Sequence, residues 1–165
     1  MAARVHWEHL AEFRVPHSRL VYGVNMNREE TKSIEYREQM ENQLARDFWF
    51  MTIGHPDFTW EDADYIFNCL PIEFGNGWLK LLYEFCNSLK TEVKSNFDIH
   101  QLKEKWGFAN VYYSGDITPY GEQLIKEFEE ESKHTCEVCG QPANIEMYAG
   151  WARCLCEDCK KEIEN

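Results

Sequence analysis

The chain has 165 residues, 29 acidic against 17 basic, for a formal net charge of −12. Its length fits one domain, or a domain with a small added module, and a 44% hydrophobic, 15% aromatic composition supplies ample core material, unlike a disordered acidic chain. The charge argues against a general polyanion binder, whose affinity comes from Lys and Arg at phosphates, and against docking on an anionic membrane.

The opening stretch, Met1-Ala2-Ala3-Arg4-Val5-His6-Trp7-Glu8, meets acidic and aromatic residues too early for the apolar core of a signal peptide. The longest apolar cluster, Phe48-Trp49-Phe50-Met51-Thr52-Ile53, is far shorter than the roughly 18 residues of a spanning helix. A cytoplasmic protein is the expectation. Trp7, Leu10 and Phe13 keep helical spacing up to Pro16, and Leu20-Val21-Tyr22-Gly23-Val24 suits a short strand. His6 and His9 form a lone H-x-x-H, for which an exposed or packed pair is a simpler reading than a metal site. From Arg28 to about Phe48, Tyr36, Met40, Leu44 and Phe48 recur every fourth residue, the stripe of an otherwise solvated helix. Gly54-His55-Pro56-Asp57 ends it, and Thr59 with Asp62 resembles a capping pair that predicts a helix from Trp60 to Leu70. His55, Asp57, Asp62 and Asp64 cluster there, but carboxylates that open a helix ordinarily serve its dipole.

Gly75-Asn76-Gly77 reads as a turn, and Trp78, Leu81, Leu82, Phe85, Leu89 and Val93 then predict a four-turn helix. Ile99, Leu102 and Trp106 fit a helix, while Ile99–Glu104 and Phe108–Tyr113 fit two strands. The β-prone Val111-Tyr112-Tyr113 and the turn residue Gly107 favour the hairpin. Thr118 as cap and Pro119 at the first helical position start a helix carrying Tyr120, Leu124, Ile125 and Phe128 toward His134.

Four of the seven cysteines form two C-x-x-C pairs, Cys136/Cys139 and Cys156/Cys159, separated by sixteen residues. This spacing lies inside the range that reads as a zinc site in a reducing compartment. Two intervening residues let a tight turn aim both thiolates at one ion, and Gly140 can take the positive φ of such a knuckle. Asn144–Tyr148 and Trp151–Leu155 read as strands turning at Ala149-Gly150, and Cys156–Asn165 as a terminal helix. Knuckle, hairpin and helix make a treble-clef or zinc-ribbon-like plan. Four thiolates leave no open coordination position, so the expected zinc is structural rather than catalytic. Cys154 is read as a packing residue, and His134 as a substitute ligand that a complete cysteine set makes unnecessary.

Lys103-Glu104-Lys105-Trp106-Gly107, Tyr112-Tyr113, Ser132, Thr135-Cys136-Glu137-Val138-Cys139-Gly140-Gln141-Pro142, Gly150-Trp151 and Leu155-Cys156 resemble a group of uncharacterised proteins encoded by bacteriophages and prophages. In that group a Gly-Trp helix, like the one at Gly77-Trp78, precedes a K-E-K-aromatic-G hairpin and the chain ends in a zinc knuckle. The likeness covers about residues 75–160. The group's last ligand is usually His where this chain has Cys159, and its strand Arg is replaced here by Ala109-Asn110-Val111. The resemblance implies a viral protein in a host cytoplasm and brings no known chemistry with it.

The expected fold is α+β: a mostly helical body over residues 1–134 with a small β-hairpin or sheet, and a zinc module over residues 135–165 packed on it. Catalytic signatures such as G-x-S-x-G, H-E-x-x-H or a Gly-rich phosphate loop do not occur in the sequence. Lys103, Lys105, Trp106, Tyr112 and Tyr113 are candidate ligand residues, able to stack a base and neutralise a phosphate if alternation gathers them on one face. The blander reading makes the aromatics core and the lysines solvated. The expected function is a non-enzymatic accessory protein that binds a host protein or sequesters a small nucleotide signal, as monomer or oligomer, without direct nucleic-acid binding. An enzyme that degrades such a signal, or an acidic DNA mimic, are the alternatives. The acidity is uneven: −1 over residues 1–50, −5 over 51–119 and −6 over 120–165, which weighs against DNA binding by the zinc module.

Overall fold

Side-chain caps at Asn27, Ser33 and Thr118 mark where three of the described helices begin. The structure, a computed structural model, describes residues 27–52 and 69–164. The His6/His9 pair, the strand at Leu20–Val24 and the cluster of His55, Asp57, Asp62 and Asp64 lie outside the described residues. Helix α1 (Arg28–Thr31) opens on a capping box between Asn27 and Glu30. Ser33 then takes an extended backbone, and its hydroxyl accepts the Tyr36 N–H at 3.0 Å to start helix α2 (Ile34–Asp47). The single helix expected from Arg28 is therefore two, because a serine at that point serves a new N-terminus better than a helix interior. Tyr36, Leu44 and Phe48 are buried along the expected stripe.

Of the helix expected from Trp60 to Leu70, only Cys69 and Leu70 lie within the described residues, and neither is helical. Cys69 is extended and bridged to Thr52, and Leu70 N–H donates to the Met51 carbonyl at 2.8 Å. Strand β1 (Ile72–Glu73) follows, and Arg37 from α2 fixes it by donating to the Ile72 and Phe74 carbonyls. The Gly75-Asn76-Gly77 turn leads through a single 3-10 turn at Asn76–Trp78 into helix α3 (Leu79–Leu89). This helix stops before Val93, which instead bridges to Ile117.

Residues 98–114 form the hairpin, β2 (Asp98–Lys105) against β3 (Phe108–Ser114), with β1 parallel to β2 on the other side. Its turn is Trp106-Gly107, with φ of 60° and 84°. Positive φ at both central residues is what a type I′ hairpin turn requires. Helix α4 (Pro119–Ser132) begins as expected, with the Thr118 hydroxyl accepting the Gly121 N–H and Pro119 in the first turn. It lies along the outer edge of β3. There the Ser132 hydroxyl accepts the Ala109 N–H at 2.9 Å, and the Glu129 carboxylate accepts the Val111 N–H at 3.0 Å.

The principal core gathers Leu44, Phe50, Trp78, Leu82, Leu102 and Phe128 from both helical and sheet elements. Phe85 of α3 stacks on Phe128 of α4 at 4.8 Å between centroids, locking the two helices together. After Thr135 come hairpin β4 (Ile145–Tyr148) with β5 (Trp151–Cys154), turning at Ala149-Gly150, and helix α5 (Glu157–Glu164). A second apolar cluster forms around Cys136, Cys139, Leu155 and Cys159, while Cys154 joins the principal core. The described residues are thus mixed α/β, with two small sheets. Among them no helix is long and apolar enough to cross a membrane.

Candidate metal centre and neighbouring cleft

The first cysteine pair sits on a tight turn. Gly140 N–H donates to the Cys136 carbonyl at 2.9 Å, Cys136 N–H donates to the Gln141 carbonyl at 2.7 Å, and Gly140 has φ 75°. The second pair comes from the start of α5, with Cys156 just before the helix and Cys159 in its first turn. All four Sγ atoms lie within 4.8 Å of one another, and all four cysteines are free of disulfides. The Cys139–Cys156 sulfur separation is 3.6 Å. A tetrahedron with metal–sulfur bonds of about 2.3 Å has an edge of about 3.8 Å, so the donors fit one ion. Cys136, Cys139, Cys156 and Cys159 could together hold a metal.

Cys154 and His134 stand outside this cluster. The Cys154 thiol is buried in the principal core and donates to the Lys133 carbonyl at 3.3 Å, and burial pushes it up to about 11. His134 is exposed and bonds the Asn144 side chain at 3.0 Å.

At Cys139, Cys156 and Cys159 burial works against the thiolate, and local donors oppose it unevenly. For Cys156 the backbone of Cys159 and the neighbouring thiols outweigh burial and bring it down to about 7. Cys159 stays well above the usual range because burial dominates, although Arg28 opposes it with an N–H at 3.3 Å from the sulfur. Arg28 also pairs with Glu162 at 2.5 Å, and Lys32 pairs with the same carboxylate at 2.5 Å, so α1 is clamped to α5. Arg28 Nε is buried with no hydrogen-bond partner. A guanidinium with an orphaned donor beside four thiolates fits a centre that would carry about −2 with a divalent ion bound.

The knuckle is also seated on the body. Gly77 N–H donates to the Glu137 carbonyl at 2.9 Å, and the buried Trp78 indole donates to the Thr135 carbonyl at 2.6 Å. A Cβ on Gly77 would lie 2.1 Å from the Cys136 carbonyl oxygen, so only glycine allows this approach.

The five candidate ligand residues do not all come together. Lys103 and Lys105 share one face of β2 with Tyr112, whose ring lies 4.7 Å below the Lys103 ammonium. Tyr113 points to the opposite face, where its ring packs 5.5 Å from Phe97. Trp106, in the turn, is 69% exposed. It opens onto a cleft of about 660 Å³ lined by Phe74, Glu104, Lys105, Trp106, Glu137, Trp151 and Arg153. Sequence reasoning missed the far wall of this cleft. Glu137 lay hidden between two ligands, and Trp151 and Arg153 entered only as part of the strand expected at Trp151–Leu155 and, for Trp151, the Gly150-Trp151 pair, not as site residues. On that wall Glu137 is buried and ion-paired with Arg153. Burial pushes its carboxyl up, Arg153 pulls it down, and the charge of Glu104 adds to the upward side.

Comparison with known proteins found no matching family model, no matching curated protein and no matching solved structure.

Proposed function

We propose that this chain is a non-enzymatic binding protein in which zinc at Cys136, Cys139, Cys156 and Cys159 is a structural staple and the neighbouring cleft sequesters a small nucleotide. Zinc is the reading that an all-thiolate tetrahedron favours, and with four protein ligands it has no open position for a reacting group. The observation that carries the binding reading is the cleft, whose volume of about 660 Å³ lies in the range of small-molecule sites. Its walls offer two indoles for stacking and an exposed Lys105 for a phosphate. In this reading the protein acts in a host cytoplasm as a phage-encoded accessory factor, in keeping with the resemblance of residues 75–160, and denies a nucleotide signal to its receptor.

Native mass spectrometry of protein purified from cells that express it tests this directly. One zinc per chain, and an intact nucleotide released on denaturation, is the expected result. Conversion of added nucleotide into product would overturn the non-enzymatic reading in favour of an enzyme.

A further inference from the structure

The Trp106 turn is unusual for its residue type. Two-residue turns with positive φ at both positions strongly prefer Asn-Gly or Asp-Gly, and a bulky side chain in the left-handed region is strained. Trp106 nonetheless holds φ 60° and leaves 69% of itself in solvent. Strain of this kind, held where it presents a side chain to a cleft, points toward function. The opposite turn contributes a second indole, Trp151, 74% exposed and lining the same cleft. The tip of the first hairpin rests on the strands of the second: a Cβ on Gly107 would lie 3.0 Å from Ile145 Cγ2 in β4 and 3.3 Å from the Ala152 carbonyl carbon in β5. That contact brings the backbone carrying Trp106 against β5, which carries Trp151.

Two carboxylates, Glu104 and Glu137, line the same cleft. Glu104 spends Oε1 on the Gly107 N–H at 2.6 Å, and Glu137 spends Oε1 on Arg153. An ionised carboxylate only accepts, so the second oxygens of this pair suit a planar ligand that presents N–H donors along one edge. Among nucleobases guanine presents two adjacent donors, N1–H and the N2 amino group. Adenine and cytosine put an acceptor beside their donor, and uracil offers one donor between two acceptors. A guanidinium side chain has a similar donor edge, but as a cation it would meet Lys105 and Arg153 on the same walls. Lys103 and Lys105 instead extend a basic strip along β2 that suits a phosphate.

We propose that the cleft between the Trp106 and Trp151 turns is a guanine-nucleotide site. The base stacks on the indoles, its N1–H and N2 edge donates to Glu104 and Glu137, and its phosphate meets Lys105. This rests on the reading of the chain as a nucleotide-binding protein and adds the identity of the base.

Isothermal titration of the zinc-loaded full chain with GMP, AMP, CMP and N-acetyl-arginine amide tests it. GMP is expected to bind at least about tenfold more tightly than AMP or CMP, the discrimination of one good bidentate contact. Glu104→Gln can keep the Gly107 bond through its amide oxygen while placing a donor in the site, and is expected to bring the GMP-to-AMP ratio close to one. Trp151→Ala, at an exposed position, is expected to weaken GMP by about tenfold or more through lost stacking, with zinc content unchanged. It tests the site even if Glu104→Gln fails to fold. AMP or CMP binding as tightly as GMP would overturn the guanine assignment and leave the nucleotide reading standing. Tighter binding of N-acetyl-arginine amide would overturn it in favour of a guanidinium ligand, and no binding by any nucleotide would overturn both.

Discussion

Replacing Gly77 by alanine should weaken the metal centre without touching a metal ligand. The added methyl would sit 2.1 Å from the Cys136 carbonyl oxygen and 2.6 Å from the Gly140 nitrogen, both backbone atoms of the knuckle. Neither is the end of a flexible side chain, so the knuckle must move as a unit by more than an ångström. Overpacking of this kind costs about 1–3 kcal/mol. The shift also breaks the 2.9 Å bond from Gly77 N–H to the Glu137 carbonyl, worth about 0.5–1.5 kcal/mol. Together about 2–4 kcal/mol is expected, and because the penalty exists only when the knuckle is formed, it falls on the metal-loaded state. By linkage, metal affinity should drop about 30- to 1000-fold. The loaded protein should melt about 4–16 °C lower, while the metal-free melting temperature stays where it was. Competition against a chromophoric chelator measures the first quantity, and circular-dichroism melts with and without chelator measure the second. Metal affinity within threefold of the parent chain, or an equal drop in both melts, would refute the idea that α3 seats the knuckle.

The cysteines should divide by role. Cys139→Ser should abolish stoichiometric metal binding and unfold the segment after Thr135, because site formation of this kind contributes on the order of 10–16 kcal/mol. Cys154→Ser should leave the metal count at one and lower stability by about 1–3 kcal/mol for a polar group in an apolar site; metal analysis and urea melts separate the two. Arg153→Ala should cost about 3 kcal/mol near neutral pH, the low end for breaking a buried pair, since Arg153 keeps 35% of its side chain exposed. The sign with pH follows from Glu137. Without its partner, burial holds the folded pKa further above the unfolded value, so the penalty is absent below about pH 4 and grows as pH rises toward neutrality. Urea denaturation at pH 4 and pH 8 checks this, and an equal cost at both would rule out the charged pair as the cause.

Much of the metal centre was legible because its information is local. Two C-x-x-C pairs, a glycine after the first, and strands and a helix between and beyond them are fixed by spacing alone, as is Thr118-Pro119 as a helix start. The hairpin at 98–114 was legible for a similar reason, since Gly107 and a β-prone run lie side by side. Strand β1 was not, because two residues carry no periodicity and their pairing with Leu102 and Lys103 is long-range. The split at Ser33 was hidden because the apolar stripe begins only at Tyr36, and the charged residues before it carry no periodicity that would mark a break. For the ligand face, strand alternation decides the outcome: Tyr112 and Tyr113 are adjacent in β3 and point to opposite faces, so Tyr112 serves solvent beside Lys103 and Tyr113 packs on Phe97. The cleft depends on the Gly107 turn resting on the strands of the second hairpin, and no spacing within either hairpin records that event.

The contact between α4 and β3 bears on how copies of this chain meet one another. An outer strand normally displays a row of free amides that another chain can copy, and this is the usual seed of fibrous growth. Here Ser132 and Glu129 occupy the Ala109 and Val111 amides, and the opposite border of the sheet is only the two-residue β1. Among the described residues the β3 border therefore has its Ala109 and Val111 amides closed to a further strand. Self-association by strand addition at that border is disfavoured, and assembly of copies there is left to faces of side chains, where an acidic surface sets the terms.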